Sequence, residues 1–233
     1  MNLRSSAAYD HLLAEARSSS IDLALEADDS GVGIRLLQPA LSFHHSFVTG
    51  PLARRARQSN QALLKACNNK ARNIDRVLDL TAGWGADSLI LASQGQQVTM
   101  LEQNSLVFAI LACSLEVLVQ DPAGAGLARR MLLENAEAGK YLRGLDAVHE
   151  FDCIYLDPMF PAHKSSAKPA KEMQILQILT DNRDIESVFD LALLKARRRV
   201  VVKRPAKATS LTDVKPDIVY REKTIRFDVY LTA

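Results

Sequence analysis

Three short blocks of the chain combine residue types and spacings that could do chemistry. The first, Asp79-Leu80-Thr81-Ala82-Gly83-Trp84-Gly85-Ala86-Asp87, follows directly on a short apolar run. Gly83 and Gly85 let the backbone turn sharply and approach a ligand with no Cβ in the way. Position 88 is Ser88, so the G-x-G-x-x-G dinucleotide fingerprint is incomplete and the close helix approach that a pyrophosphate needs is not offered. Asp79, at the entry to the turn, suits instead a ligand with a cationic amino-acid end. An ordinary strand-to-helix turn would read the same way if it stood alone.

The second block supports the first. Glu102 stands nineteen residues beyond Gly83, where doubly wound folds place an acid against ribose hydroxyls. A carboxylate only accepts, so it can hold two neighbouring hydroxyls at once. Turn and acid together point to an adenosine-containing cofactor at the carboxyl ends of the strands, and S-adenosylmethionine (SAM) fits best. The third block, Tyr155-Leu156-Asp157-Pro158-Met159-Phe160-Pro161, is the most specific. The Asp157 carboxylate and the Pro158 carbonyl can accept hydrogen bonds from an exocyclic amine and aim its lone pair at a methyl group. Phe160 can stack on a flipped or single-stranded base.

These blocks need a sheet edge to bring them together. The pattern predicts a helix over 5–18, strands over 21–26, 32–37 and 41–48, and a helix over 52–67. Strands are then expected over 76–80, 97–101, 131–133, 151–156 and 199–203. Helices fall between them over 87–93, 105–119, 171–179 and 185–195. A closing antiparallel hairpin is expected over 217–220 and 225–231. Alternation of strand and helix implies an α/β fold, a mostly parallel Rossmann-like sheet with helices on both faces. Residues 1–50 read as a small α+β appendage, too small to stand alone, and residues 51–233 as the main domain.

Composition sets the outer bounds. The 233 residues are 48% hydrophobic and 24% charged, globular averages that exclude a disordered or fibrous chain. The longest apolar run, Leu106–Cys113, is too short to cross a bilayer, and no apolar signal core follows Arg4. The expectation is a soluble, cytoplasmic protein. Cys67, Cys113 and Cys153 make neither a disulfide framework nor a metal knuckle, and the adjacent His44 and His45 would point to opposite faces of a strand, so no metal is expected. The net charge of +2 conceals two basic stretches. Residues 51–76 carry seven basic side chains against Asp75 alone, and residues 161–207 carry eleven against five acids. Lys164, Lys168, Lys171, Lys203 and Arg204 are the candidate phosphate contacts around the crevice, with Arg54, Arg55 and Arg57 extending the footprint. Arg197, Arg198 and Arg199, at the opposite strand end, are expected to be solvated.

The strings DLTAGWGADSLILAS, VTMLEQN, YLDPMFP, RVVVKRP and RFDVY, in this order, resemble the bacterial small-subunit ribosomal RNA guanine-N2 methyltransferases of the RsmJ type. The resemblance runs from about Gly50 to Tyr230. It implies a class I methyltransferase sheet, SAM as cofactor, and N2-methylguanine in 16S ribosomal RNA as product. It also implies cofactor contacts at Ala86 and Asp87, at Glu102 and Gln103, near Ala136 and Glu137, and at Asp157. The family pattern has Arg at the places of Ala86 and Gln103 and serines near Ala136-Glu137, which implies altered affinity rather than loss of the cofactor. The reading is therefore an enzyme with Asp157, Pro158 and Phe160 at the acceptor. Three rivals remain: an adenine-N6 or DNA amine methyltransferase, a non-catalytic RNA-binding module on the same fold, and a nicotinamide dehydrogenase, against which Ser88 counts.

Overall fold

The computed structural model describes residues 3–56, 62–67, 74–145, 150–158, 169–180 and 185–232. The chain begins with helix α1 (Ala7–Ser18), capped by the Ser6 side chain, which accepts from the Tyr9 amide. Strands β1 (Leu23–Asp28), β2 (Gly31–Leu36) and β3 (Leu41–His45) then form a separate antiparallel sheet in the order β1-β2-β3. Helices α2 (Gly50–Ala56) and α3 (Ala62–Cys67) lie where one helix over 52–67 was expected; the residues between them are outside the described set.

The second sheet is built from β4 (Arg76–Asp79), β5 (Gln97–Glu102), β6 (Met131–Asn135), β7 (Cys153–Leu156), β8 (Arg199–Pro205), β9 (Ile218–Arg221) and β10 (Ile225–Leu231). Between these run α4 (Ala86–Ser93), α5 (Ser105–Gln120), α6 (Ala125–Ala128), α7 (Ala138–Gly144), α8 (Lys171–Leu179) and α9 (Ile185–Lys195). The sheet order is β6-β5-β4-β7-β8-β10-β9, with β10 antiparallel to both its neighbours and the five strands β6, β5, β4, β7 and β8 parallel to one another. This is the mostly parallel Rossmann-like sheet expected from the alternation, closed by the expected antiparallel hairpin. The short apolar runs of β7 and β8 are buried on both faces, as strands covered by helices on each side must be. The order reverses between β4 and β7, so the carboxyl ends of these two strands open a crevice there.

The first fifty residues pack closely on the helices that flank the large sheet. α1 packs on α5, β3 packs on α8, and Leu12, Val32 and Ile34 share one apolar core with Val107, Ile110 and Leu111. The two short helices α6 and α7 escaped the sequence pattern because each has at most seven residues, too few for a helical period to register. One charge expectation is corrected. Arg199 is 1% exposed, and its Nη1 donates to the Ala66 carbonyl at 2.8 Å, so it ties α3 to β8 instead of meeting solvent. Among the described residues, no helix is long and apolar enough to cross a membrane.

Candidate active site

A cavity of about 740 Å³ lies at the carboxyl ends of β4, β5 and β7. It is lined by Asp79, Gly83, Ala86 and Asp87 from the first block, by Glu102, Gln103, Ala136 and Glu137, and by Asp157 and Pro158. The fold thus gathers at one place residues that are distant in sequence.

The turn after β4 takes its shape from its two glycines. Gly83 has φ +52 and Gly85 φ +65, left-handed conformations that disfavour a side chain. Their lack of a Cβ serves internal packing as well. A Cβ at Gly83 would stand 2.9 Å from Leu176 Cδ2, and one at Gly85 would stand 2.9 Å from Phe47 Cζ. At both glycines the space of the missing Cβ is bordered by protein, while Gly83 also lines the cavity. Trp84, between them, is buried and donates from Nε1 to the Glu172 carbonyl at 2.8 Å, and its ring stands against Phe43 and His45.

Asp79 is buried at the strand end. One of its oxygens accepts from Ser88 Oγ at 2.6 Å and the other from the Thr81 amide at 3.1 Å. Burial pushes its carboxyl up to about 7 against those two donors. Ser88, which spoils the dinucleotide fingerprint, is thus the hydroxyl that holds Asp79. Glu102 accepts from the Gly83 amide at 3.0 Å and from the Asn104 amide at 2.8 Å, one on each oxygen. Burial likewise lifts it to about 7. Each carboxylate oxygen can accept more than one hydrogen bond, so Glu102 retains capacity for ribose hydroxyls.

The other half of the cavity holds charge in pairs. Lys203 Nζ lies 2.8 Å from Asp87 Oδ2 and 2.7 Å from Asp157 Oδ2. Tyr155 Oη donates to Asp87 Oδ2 at 2.7 Å, and the Arg55 guanidinium approaches Asp87 Oδ1 to 3.7 Å. Burial alone would raise Asp87, yet Lys203 and Tyr155 hold it below the usual carboxylate range. Burial lifts Asp157 above that range, with Lys203 opposing. The Asp157 amide donates to Thr81 Oγ1 at 2.6 Å, joining the third block to the first.

Several expected roles change. Lys203, expected at the rim against phosphate, has an ammonium committed to two carboxylates and a side chain only 17% exposed. Arg204 is 6% exposed and donates to the Thr209 carbonyl at 2.6 Å, so it shapes the loop after β8 and presents little charge to solvent. Glu137 lines the cavity, but its carboxylate caps α7, accepting from the Gly139 and Lys140 amides. Lys171 opens α8 and is exposed. Phe160, Lys164, Lys168 and Arg57 lie outside the described residues.

Sequence reasoning missed the wall supplied by the first fifty residues: Phe43, His44, Ser46 and Thr49 all line the cavity. His45 anchors this wall. A carbonyl can only accept, so Nε2 carries the hydrogen it gives to the Trp84 carbonyl at 2.8 Å, and Nδ1 accepts from Ser114 Oγ at 2.6 Å. Burial pulls this imidazole down to about 4, which keeps it neutral. Phe43-His44-His45 did carry a signal, an aromatic cluster on a strand, but nothing in it named the partner.

The donor set fits SAM. Asp87 Oδ1 is buried with no hydrogen bond, the Arg55 guanidinium standing 3.7 Å away, so it can still accept one from a ligand, and Glu102 stands where ribose hydroxyls would be held. Sheet order, turn and acids together define a class I methyltransferase. A family model described as "Putative SAM-dependent methyltransferase" matches residues 10–232, and the chain belongs to that family. It is 40% identical over 222 residues to ribosomal RNA small subunit methyltransferase J of Thioalkalivibrio sulfidiphilus, covering 93% of this chain and 87% of the relative. The protein of the same name from Aeromonas hydrophila is 40% identical over 205 residues, covering 85% and 82%. The crystal structure of a SAM-dependent methyltransferase from Neisseria gonorrhoeae matches with a TM-score of 0.72 at 28% identity, covering 94% of this chain and 90% of that one.

Proposed function

We propose that the chain transfers a methyl group from SAM to the exocyclic N2 amine of one guanine in 16S ribosomal RNA, in the cytoplasm. The observation that carries this reading is the placement of Asp157 and Pro158 on the same cavity as Asp79, Asp87 and Glu102, with Thr81 bonded to the Asp157 amide. The names and identities of the relatives support the ribosomal substrate.

When bound, SAM supplies an electrophilic methyl group on a sulfonium. The chain supplies position. Glu102 holds the ribose end, and Asp87 with Asp79 gives the cationic end a negative neighbourhood. The Asp157 carboxylate and the Pro158 carbonyl accept from the guanine amine, and Phe160 stacks on the base. Drawing the amine hydrogens toward these acceptors turns the lone pair out of conjugation and toward the methyl carbon. The nitrogen–carbon bond forms as the carbon–sulfur bond breaks, and the amine gives up one proton to solvent during or after transfer. No strong base is therefore required, and the rate comes mainly from proximity and orientation. Lys171, with Lys164 and Lys168, supplies phosphate contacts that position the RNA while the acceptor motif reads the base.

The test is methyl transfer from labelled SAM to small subunits lacking the modification, with free RNA and DNA alongside and Asp157→Ala as control. Label on one guanine N2, lost in the variant, is the expected result. Label on adenine or DNA would replace the substrate. SAM binding with no transfer to any nucleic acid would remove the substrate class, and absence of SAM binding would favour a non-catalytic RNA-binding module.

A further inference from the structure

Lys203 lies on β8 beside the acceptor motif because β7 and β8 run parallel in register, with Tyr155 opposite Val201 and Leu156 opposite Val202. The next step along both strands brings Asp157 and Lys203 together. Side chains alternate along a strand, so Tyr155, Asp157, Val201 and Lys203 share the face that meets the start of α4, where Asp87 stands. Two sequence blocks, the first through Asp87 and the third through Asp157, thus converge on one ammonium.

We propose that Lys203 is a positioning residue for methyl transfer: its ammonium clamps Oδ2 of Asp157 against Asp87, and so keeps the Asp157 carboxylate a charged, oriented acceptor for the incoming amine. The distances of 2.7 and 2.8 Å are those of charge-assisted hydrogen bonds, the stronger and geometrically stricter kind. The two acids need the cation. Carboxylates that share a site cannot both remain ionised without one, and one of them takes up a proton. A protonated Asp157 would have an O–H where the amine needs an acceptor. The division of labour is visible in the contacts. Asp87 Oδ2 accepts from both Tyr155 and Lys203, and Arg55 stands near its other oxygen, whereas Asp157 keeps 34% of its side chain open to the cavity. The charged and titratable groups that face Asp157 are Lys203 on β8, Asp87 on α4, Arg55 on α2, Tyr155 on β7 and Asp79 at the end of β4. Of these, Lys203 is the cation in direct hydrogen-bond contact with it.

The catalytic part of this inference rests on the proposed methyl transfer, but the charge part is read without any substrate. In protein carrying carbon-13 at the aspartate carboxyls, the Asp157 signal is identified by its loss in Asp157→Asn and titrated in wild type, Lys203→Met, Lys203→Arg and Asp87→Asn. The Asp157 midpoint is expected to rise by at least one pH unit in Lys203→Met, to stay near wild type in Lys203→Arg, and to fall in Asp87→Asn, where a competing carboxylate is gone. With RNA substrate, kcat is expected to drop about 100-fold in Lys203→Met, its acid limb moving up with the Asp157 midpoint, while KM for RNA changes little and Lys203→Arg restores part of the rate. An Asp157 midpoint unmoved in Lys203→Met overturns the inference whatever the substrate is. If that variant does not fold, an unmoved midpoint in Asp87→Asn does so. A midpoint that moves while kcat and its acid limb do not would overturn the positioning role. Wild type that transfers nothing, yet shows the expected midpoints, would sink the substrate reading and leave the clamp standing.

Discussion

The two sides of the crevice handle buried carboxylates in opposite ways. On the β4–β5 side, Asp79 and Glu102 are held by a hydroxyl and backbone amides, and neither takes part in an ion pair among the described residues. Both are lifted to about 7 by burial. On the β7–β8 side, Asp87 and Asp157 share the Lys203 ammonium, which the two acids keep firmly protonated against the opposing effect of burial. The same residue type therefore serves two ends. On the proposed reading, the β4–β5 acids wait for a ligand that brings its own cation and hydroxyls, as SAM does. The β7–β8 acids are compensated from within, and on the proposed reading this lets Asp157 present an acceptor to a neutral amine.

The largest expected effect falls on the compensated side. Asp157→Ala removes the acceptor and is expected to cut kcat by about 100-fold or more in a methyl-transfer assay. A rate unchanged within a factor of three would erase the distinction between the two sides. Next, Glu102→Ala takes charged acceptors from the ribose and is expected to weaken SAM binding by about 10- to 100-fold, equivalent to about 1.5–3 kcal/mol. Titration calorimetry measures this directly, and kcat at saturating cofactor should change much less.

A third effect sharpens the comparison through pH. Groups lifted to about 7 are largely protonated at pH 6 and largely ionised at pH 8, and SAM favours the ionised form. Its affinity should rise about tenfold over that range for each such group it engages, with protons released on binding, and level off above. Folding stability runs the other way. A raised carboxyl binds its proton more tightly in the folded state, so its contribution is full below about 4 and is lost as pH rises through about 7. SAM affinity that is flat from pH 6 to 8 would show that the β4–β5 acids are already ionised. The smallest effect is expected from Ser88→Ala, which deletes the hydroxyl on Asp79 and should cost about 1 kcal/mol in denaturant unfolding.

Much of this was legible in the sequence because strands and turns leave local marks. The run ending in Asp79, the positive-φ glycines and Glu102 lie within one β-α-β unit, where spacing is fixed by element length. All five parallel strands and the closing hairpin likewise announced themselves by β-rich, apolar runs. What stayed hidden depends on register between distant segments. Lys203 and Arg204 read as surface cations because the stretch around them is basic. Only the pairing of β7 with β8 shows that one meets two acids and the other turns back on its own loop. Arg199 was misread for the same reason, its partner being a carbonyl on α3. The cavity wall formed by Phe43, His44, Ser46 and Thr49 was invisible, since no periodicity within residues 1–50 says what they will face.

The hydrogen bond from the Asp157 amide to Thr81 Oγ1 has a consequence for tolerance. Seventy-six positions separate these residues along the chain, yet 2.6 Å separates their atoms. If the cofactor turn and the acceptor loop fluctuated separately, the gap between methyl carbon and amine nitrogen would carry the wander of both. Tied at one point, they drift together, and much of their common displacement cancels from that gap. In-line transfer is sensitive to misplacements of about 1 Å, so one threonine hydroxyl makes two independent errors into a shared one.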